Sequence, residues 1–319
     1  MRLAAACLAF ALPLAASAED IPGNYPIHPL EAERRMRYEP FEILSAKRTQ
    51  HGVAGAARLK VRFTSDGLEL KMKWKSAPRY KPEGWNNVPR KEAAAYQIQK
   101  WFLDPHEYVV PPTVTRCIRL EEFRAVDPEP EPTADSGTCV FGAFSLWIVD
   151  VEVVKRVFDA ELFQTDPVYA RTLGDVNIVG YLIQHRDGRK SNFLISTLPG
   201  GRRIYSIDNG ISFGANLFNY FAKNTSRIRV AELPRSSIER LKQVSFDDVE
   251  QLGVLGHYER DAQGHLVPMP PDANFDPAHG NRVRQDVFQF GLSREEVSDV
   301  WNRLGRLLAD VNDGKIAVR

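Results

Sequence analysis

The chain has 319 residues, of which 43% are hydrophobic and 26% are charged, and its formal net charge is +1. So small a net charge is not typical of proteins that bind nucleic acid through bulk positive charge. The apolar fraction is too large for a disordered chain. The sequence therefore indicates a globular protein without a nucleic-acid partner, long enough for one large domain or for two lobes that share a cleft.

The N-terminus has the pattern of an export signal. Arg2 precedes a run of about 13 apolar residues, and a small-residue A-x-A motif at 16–18 precedes Glu19. This arrangement is typical of a cleaved secretory peptide, and the run is shorter than the roughly 20 residues that a spanning helix needs. We predict a signal peptide at residues 1–18, no transmembrane segment after cleavage, and an exported protein that is periplasmic or secreted.

Cleavage would leave two of the three cysteines, Cys117 and Cys139. A turn-rich segment containing D-P-E-P-E-P lies between them. In an oxidising compartment these two thiols are expected to form a disulfide. Closing a loop of about 22 residues would stabilise the fold by roughly 3–4 kcal/mol. The alternative is two separate buried thiols.

The first half of the chain is predicted to be rich in strands. Residues 19–43 are an N-terminal extension, and strand-like sequence begins at Leu44. Residues 57–63 and 68–75 alternate between apolar and polar side chains on either side of an Asp-Gly turn, which predicts a β-hairpin. A helical pattern follows from Arg90 and ends before Asp104.

The second half is predicted to be mainly helical. An apolar strand at 140–149 leads into helical sequence up to about Gln184, and two short strands follow. Capping boxes beginning at Ser236 and Ser293 indicate two later helices. The remaining predicted segments are the short strands at 193–196 and 203–207 and a hairpin at 256–268.

A motif with chemical meaning lies near the middle of the chain. His185-Arg186-Asp187 followed by Asn192 matches H-R-D-x-x-x-x-N, the catalytic loop of protein kinases. In that loop the aspartate faces an incoming hydroxyl, and the asparagine turns towards a metal ion on the nucleotide phosphates. Asp208 follows the predicted short strands in a D-x-G context, where a second metal-binding carboxylate is expected. The alternative is a solvated, arginine-rich turn followed by an ordinary hairpin turn.

Three segments resemble the secretory-pathway kinases related to Golgi casein kinase and four-jointed. Residues 208–214 resemble their D-N-G-x-x-F-G segment, residues 92–96 their E-I-A-A-F helix and residues 110–114 their V-P-P-T-V stretch. The resemblance spans roughly residues 55–245 and extends more distantly to phosphatidylinositol 3- and 4-kinases. The chain departs from the pattern at Asn192, where the Golgi enzymes carry an acidic residue, and at residues 52–55, which lack G-x-G-x-x-G.

This resemblance implies an α+β fold of the two-lobed protein-kinase type. The β-rich N-lobe would span residues 44–150, and the mainly helical C-lobe would span residues 151–319. Asp187 would be the catalytic carboxylate, while Asn192 and Asp208 would bind the metal.

Glu92 would be the acidic residue of the small-lobe helix that pairs with a strand lysine or reaches the metal. That lysine would be Lys73 or Lys75, which share one strand face, and Lys75 fits the expected position slightly better. The alternative for either lysine is a solvated strand face. The alternative for Glu92 is a helix-start charge favoured by the helix dipole.

The implied reaction is transfer of the γ-phosphoryl group of ATP, or another nucleoside triphosphate, with Mg²⁺ or Mn²⁺. The acceptor would be a hydroxyl of an exported protein or glycan. A basic cluster beside the catalytic motif favours an acidic acceptor; it consists of Arg186, Arg189, Lys190, Arg202 and Arg203. The alternatives are a kinase-like protein that binds nucleotide without turnover, a different nucleotide-dependent transferase, and a structural envelope protein.

Overall fold

The computed structural model describes residues 23–48, 56–77, 88–134, 137–214 and 227–319. The predicted signal peptide at 1–18 and the glycine-poor loop at 52–55 lie outside these ranges. The described residues form eight α-helices and fourteen β-strands, which confirms the predicted α+β class. Within these ranges, no helix combines the length and the apolar character needed to cross a membrane.

The helices are α1 (Pro29–Tyr38), α2 (Pro89–Gln99), α3 (Leu120–Phe123), α4 (Ala160–Thr165), α5 (Pro167–Leu182), α6 (Arg235–Leu241), α7 (Phe246–Glu250) and α8 (Arg294–Asn312). The strands are β1 (Phe41–Arg48), β2 (Ala56–Phe63), β3 (Glu69–Ser76), β4 (Thr113–Arg119), β5 (Cys139–Leu146), β6 (Val151–Val153), β7 (Phe193–Ser196), β8 (Ile204–Ser206), β9 (Glu232–Leu233), β10 (Gly256–Arg260), β11 (Leu266–Met269), β12 (Asn281–Arg284), β13 (Val287–Phe290) and β14 (Ala317–Val318).

The largest described sheet is antiparallel, with the strand order β1-β2-β3-β5-β4. The predicted hairpin is its β2–β3 pair. Leu70, Met72 and Trp74 on β3 are buried, whereas Lys71 on the opposite face is exposed. Trp74 also explains Gly142 on β5, because a Cβ atom there would overlap the indole ring. The alternation in sequence thus fixes which face of the sheet packs into the core.

Helix α2 lies inside the molecule, with ten of its eleven residues buried. Its apolar residues belong to a core that also includes Trp74 on β3, Leu173 on α5 and Leu304 on α8. Because the helix is enclosed on nearly every side, the charged residues of its first turn are also removed from solvent. This location brings Glu92 to the face of β3 that carries the lysines.

The second half contains more β-structure than predicted. The short strands β7 and β8 occur where expected and pair with β6 in a three-stranded sheet. The predicted continuous helical stretch up to Gln184 is wrong, because β6 precedes the two helices α4 and α5. The hairpin predicted at 256–268 is confirmed as β10–β11. The mainly helical prediction is wrong for residues 281–290, where β12 and β13 join this hairpin in a four-stranded sheet.

The predicted disulfide is confirmed. Cys117 on β4 and Cys139 on β5 are bonded, with their Cα atoms 5.6 Å apart. The bond joins neighbouring strands of the five-stranded sheet. Cys139 packs in a small apolar cluster with Phe141, Tyr258 and Phe288, so the bond lies where the four-stranded sheet covers the larger one.

One of the two predicted capping boxes occurs. Ser293 and Glu296 cap the start of α8: the Ser293 N–H donates to Glu296 at 2.9 Å, and the Glu296 N–H donates to the Ser293 hydroxyl at 3.3 Å. The box predicted at Ser236 is wrong, because α6 begins at Arg235 after the N-cap Pro234. In the predicted N-terminal extension, α1 buries Ala32 and Met36 against the core.

Candidate functional site

An ion-pair cluster forms where β3, α2 and the segment after β8 meet. The ammonium group of Lys75 on β3 contacts the carboxylate of Glu92 on α2 and lies 2.7 Å from Asp208 Oδ1. Lys75 and Glu92 are only 3% and 4% exposed, so neither is a solvated surface charge. The fold thus brings together Lys75, Glu92 and Asp208, which were all predicted from the sequence. Lys75 and Asp208 are 133 positions apart in the chain.

Lys73 joins the same cluster. Its ammonium group lies 3.1 Å from Asp208 Oδ1 and 3.8 Å from Glu92 Oε1. Because Lys73 is partly exposed and Lys75 is buried, the two lysines approach the carboxylates from different depths. The structure therefore brings both candidate lysines to Asp208.

The charges in this cluster oppose the effect of burial. Burial alone would lower the pKa of Lys75, but Glu92 and Asp208 outweigh it and raise the pKa above its ordinary value. Burial would likewise raise the pKa of Asp208, yet Lys75 and Lys73 hold that pKa well below its ordinary value. Asp208 is therefore a carboxylate, able to accept a metal ion, at any pH near neutrality.

The backbone holds Asp208 in an uncommon conformation. Its φ angle is +59°, in the left-handed region that aspartate tolerates better than most residues. The ring of His185 forms a hydrogen bond with the Asp208 backbone, and burial lowers the pKa of this histidine to about 4. The neutral His185 of the H-R-D motif thus supports Asp208, two residues after β8, and such local strain is a frequent property of functional sites.

The catalytic-loop motif folds into a compact turn. The Asn192 side-chain amide donates to the Asp187 carbonyl at 2.9 Å, and the backbone N–H of Ile207 donates to the Asn192 carbonyl at 2.9 Å. The second bond ties the loop to the residue before Asp208. The five-residue spacing of the motif therefore places the Asp187 loop beside the Asp208 segment.

Asp187 is paired with an arginine of its own loop. Arg189 contacts both carboxylate oxygens of Asp187, with Nη2–Oδ2 and Nε–Oδ1 distances of 2.6 Å each. Asp187 is buried, whereas the Arg189 side chain is 61% exposed. From the sequence, Arg189 was predicted only as a member of a basic cluster. The bidentate contact with Asp187 was not predicted.

Two other members of the predicted basic cluster lie elsewhere. Arg202 and Arg203 are beside β8, where the Arg202 N–H donates to Asp166 at the start of α5. The Arg203 guanidinium group lies 5.9 Å from the centre of the Tyr205 ring. The basic cluster is thus divided between the Asp187 loop and the outer end of the β7–β8 hairpin.

A cavity of about 550 Å³ opens beside the ion-pair cluster. One end is charged or polar and is lined by Lys71, Lys73, Glu92, Ser191, Asp208 and Asn209. The remaining wall is largely apolar and includes Val110, Leu146, Trp147, Ile148, Leu194 and Ile207, but the acidic residues Asp150 and Glu152 also line it. The volume and the partly apolar lining are typical of a small-molecule site.

The N-terminal segment braces one wall of this cavity. The fully buried Asn24 donates its side-chain amide to the carbonyls of Val149 and Asp150 at 2.9 and 2.8 Å. Its side-chain oxygen accepts a hydrogen bond of 2.9 Å from Tyr205. Sequence reasoning missed Asn24, since a single polar residue in an extension carries no periodic signal.

The described residues contain no group of three or more His, Cys, Asp or Glu arranged to hold a metal ion. A metal that bridges nucleotide phosphates needs fewer protein ligands, because Mg²⁺ is commonly held by one or two carboxylates together with phosphate oxygens. The Asp208 carboxylate and the Asn192 amide oxygen supply the hard oxygen donors that Mg²⁺ and Mn²⁺ prefer. The residues present therefore fit a metal carried by a nucleotide.

Comparison with protein-family models and with curated proteins found no significant match. The functional conclusion therefore depends on the residues themselves. The three segments that carry the resemblance in sequence supply Glu92, Val110 and Asp208 to the lining of one cavity.

Proposed function

We propose that this protein is an exported phosphotransferase with a two-lobed fold of the protein-kinase type. It transfers the γ-phosphoryl group of ATP or another nucleoside triphosphate to a hydroxyl of an exported protein or glycan. The nucleotide base occupies the apolar part of the cavity. The phosphates lie at the charged end, where Asp208 and Asn192 would hold Mg²⁺ or Mn²⁺.

One observation carries this proposal. A buried lysine on the third strand pairs with a helix glutamate and with the aspartate after β8, at the charged end of a cavity. Protein kinases use a strand lysine, a helix glutamate and a metal-binding aspartate in these roles. Phosphoryl transfer depends on positioning and on neutralising phosphate charge. The lysines of the cluster would provide positive charge for this purpose.

The roles of the remaining residues follow from their locations. Asp187 orients and accepts the proton of the attacking hydroxyl. Bound Mg²⁺ or Mn²⁺ would supply positive charge that neutralises the phosphates. Lys73 and Lys75 contribute positive charge at the same end of the cavity.

A second function is favoured by the Asp187–Arg189 contact. Because Arg189 occupies both oxygens of Asp187, a protein that binds nucleotide without turnover would present the same geometry. The two functions differ in whether phosphate leaves the nucleotide.

The disulfide supports export. Disulfides persist in oxidising compartments and are rare in the cytosol, and Cys117 and Cys139 are bonded. Intact-mass measurement of the exported protein tests this part of the proposal. A mature chain that begins at or near Glu19 is expected, and one that retains residues 1–18 would contradict it.

The decisive experiment is transfer of γ-labelled phosphate from ATP with Mn²⁺, with autophosphorylation as the first readout. Asp187→Asn is expected to lower the transfer rate by about 10²–10⁴ while nucleotide affinity stays near the wild-type value. Asp208→Asn is expected to lose both. Asp313→Asn, which changes an exposed carboxylate at the end of α8, serves as the matched control.

Two results would decide against an enzyme. Wild-type protein that binds nucleotide but transfers no phosphate would favour the silent binder. Near-wild-type transfer in Asp187→Asn would contradict the role of the catalytic loop.

A further inference from the structure

Three consecutive charged residues in the first turn of α2 are all buried. Arg90, Lys91 and Glu92 are 3%, 1% and 4% exposed. Burying a charge costs free energy unless it is paired and hydrogen-bonded. Each of the three has such partners, and the partners lie in three different parts of the molecule.

Arg90 joins α2 to the start of α8. Its guanidinium group donates to the two carboxylate oxygens of Glu296 at 2.6 and 3.2 Å, and to the Gly291 carbonyl at 2.9 Å. The group also lies against Gly280, where a Cβ atom would overlap it. Arg90 is therefore enclosed by protein and has little freedom to move.

Lys91 joins the same helix to the segment that carries Asp208. Its ammonium group lies 3.2 Å from Glu296 Oε1 and donates to the Ser212 carbonyl at 3.0 Å. Ser212 is four residues after Asp208, and its hydroxyl donates to the Asn209 carbonyl. One lysine thus spans α2, α8 and the Asp208 segment.

Glu92 completes the turn by pairing with Lys75. Any rotation or shift of α2 that breaks this pair would also separate Arg90 and Lys91 from Glu296, leaving buried charges without partners. Loss of one member of a buried ion pair typically costs about 3–5 kcal/mol. The three contacts therefore restrict α2 to the position in which Glu92 reaches Lys75.

We propose that Lys91 and Glu296 are positioning residues that fix α2, and with it the Lys75–Glu92 pair, relative to the Asp208 segment. A helix held in this way keeps Glu92 within reach of Lys75. The consequence for nucleotide binding rests on the proposed function, whereas the positioning itself does not.

The test measures the protection of Lys75 from acetylation by an amine-reactive ester, followed by peptide mass spectrometry. Lys71, exposed on the same strand, is the internal reference. Lys91→Met and Glu296→Gln are expected to raise the acetylation rate of Lys75 about tenfold. Glu295→Gln, at the exposed position next to Glu296, should behave as wild type.

A second readout is titration with AMP-PNP and Mn²⁺, for which Kd is expected to rise roughly tenfold in Lys91→Met. If Glu296→Gln fails to fold, Lys91→Met decides the question. Wild-type protection of Lys75 in a folded Lys91→Met variant would overturn the proposal. Loss of protection together with no nucleotide binding by the wild type would support the positioning and count against the proposed function.

Discussion

Asp208 is the residue on which the site depends most. It lies two residues after β8 with a left-handed backbone, and its carboxylate faces the ammonium groups of Lys73 and Lys75. Lys73 and Lys75 face two carboxylates, Asp208 and Glu92, so the cluster is formally neutral, and a metal ion proposed to bind there should arrive with its own negative charge. A nucleotide triphosphate brings that charge, which is why metal and nucleotide are expected to bind together.

The two lysines should differ in their contribution to stability. Lys75→Met leaves Glu92 buried without its closest cation, and removal of one member of such a pair costs about 3–5 kcal/mol. Lys73→Met removes a partly exposed contact and should change the free energy of unfolding by less than about 1 kcal/mol. Urea unfolding measures both, with Lys71→Met as the control on the same strand face. Equal losses for Lys73→Met and Lys75→Met would contradict the difference in burial.

The sequence could predict the acidic residues of the site but could not choose between these lysines. The spacing from Asp187 to Asn192 and the D-N-G turn at Asp208 are local patterns that can be read from the sequence. In the structure, both segments contribute residues to the cavity lining, Ser191 from the first and Asp208 from the second. Lys73 and Lys75 are two residues apart on one strand, so alternation gives them the same face. Their different depths depend on where α2 packs, which is a long-range property.

At the scale of elements, the packing of α5 against α6 contains a buried acid. Asp175 lies inside α5 and accepts a hydrogen bond of 2.6 Å from the Ser237 hydroxyl on α6. Burial raises the pKa of Asp175 to about 7, even though this hydrogen bond opposes the shift. Folding therefore favours the protonated form of Asp175 over its carboxylate.

This raised pKa makes the packing sensitive to pH. The folded protein binds the Asp175 proton more tightly than the unfolded chain, so the contribution to stability is present below about pH 4 and is lost as pH rises through about 7. Between about pH 5 and pH 8, the wild type should lose about 2–3 kcal/mol relative to Asp175→Asn. Urea unfolding of both proteins across this range gives the difference directly. A difference that does not vary with pH would show that Asp175 is ionised in the folded state.

A strand could be predicted from the sequence when its apolar and polar side chains alternate clearly. Strand β3 was predicted because every apolar residue in it is buried and its exposed positions are charged. Strand β12 was missed because its buried position is an arginine, Arg282, which donates to the carbonyls of Gly253 and Leu292. A buried charge of this kind has the sequence appearance of a surface residue. The contact between Arg90 and Glu296 could not be predicted either. Both residues look like surface charges in the sequence, and 206 positions separate them.

At the scale of the whole molecule, the disulfide secures the five-stranded sheet where the four-stranded sheet covers it. Replacing Cys117 and Cys139 by alanine should lower the free energy of unfolding by roughly 3–4 kcal/mol, because the unfolded chain regains the freedom of the loop. Urea unfolding with and without reductant measures this loss. The double variant should not respond to reductant, and a wild type that is equally stable when reduced would contradict the stabilising role.

The proposed function requires one cavity to bind a nucleotide and a metal ion together through Asp208. Isothermal titration of AMP-PNP into the mature protein, with and without Mn²⁺, tests this claim most directly. Saturable binding that requires Mn²⁺ in the wild type and is lost in a folded Asp208→Asn variant is the expected result. Metal-dependent binding that is unchanged in Asp208→Asn, or no binding by the wild type at all, would contradict the account.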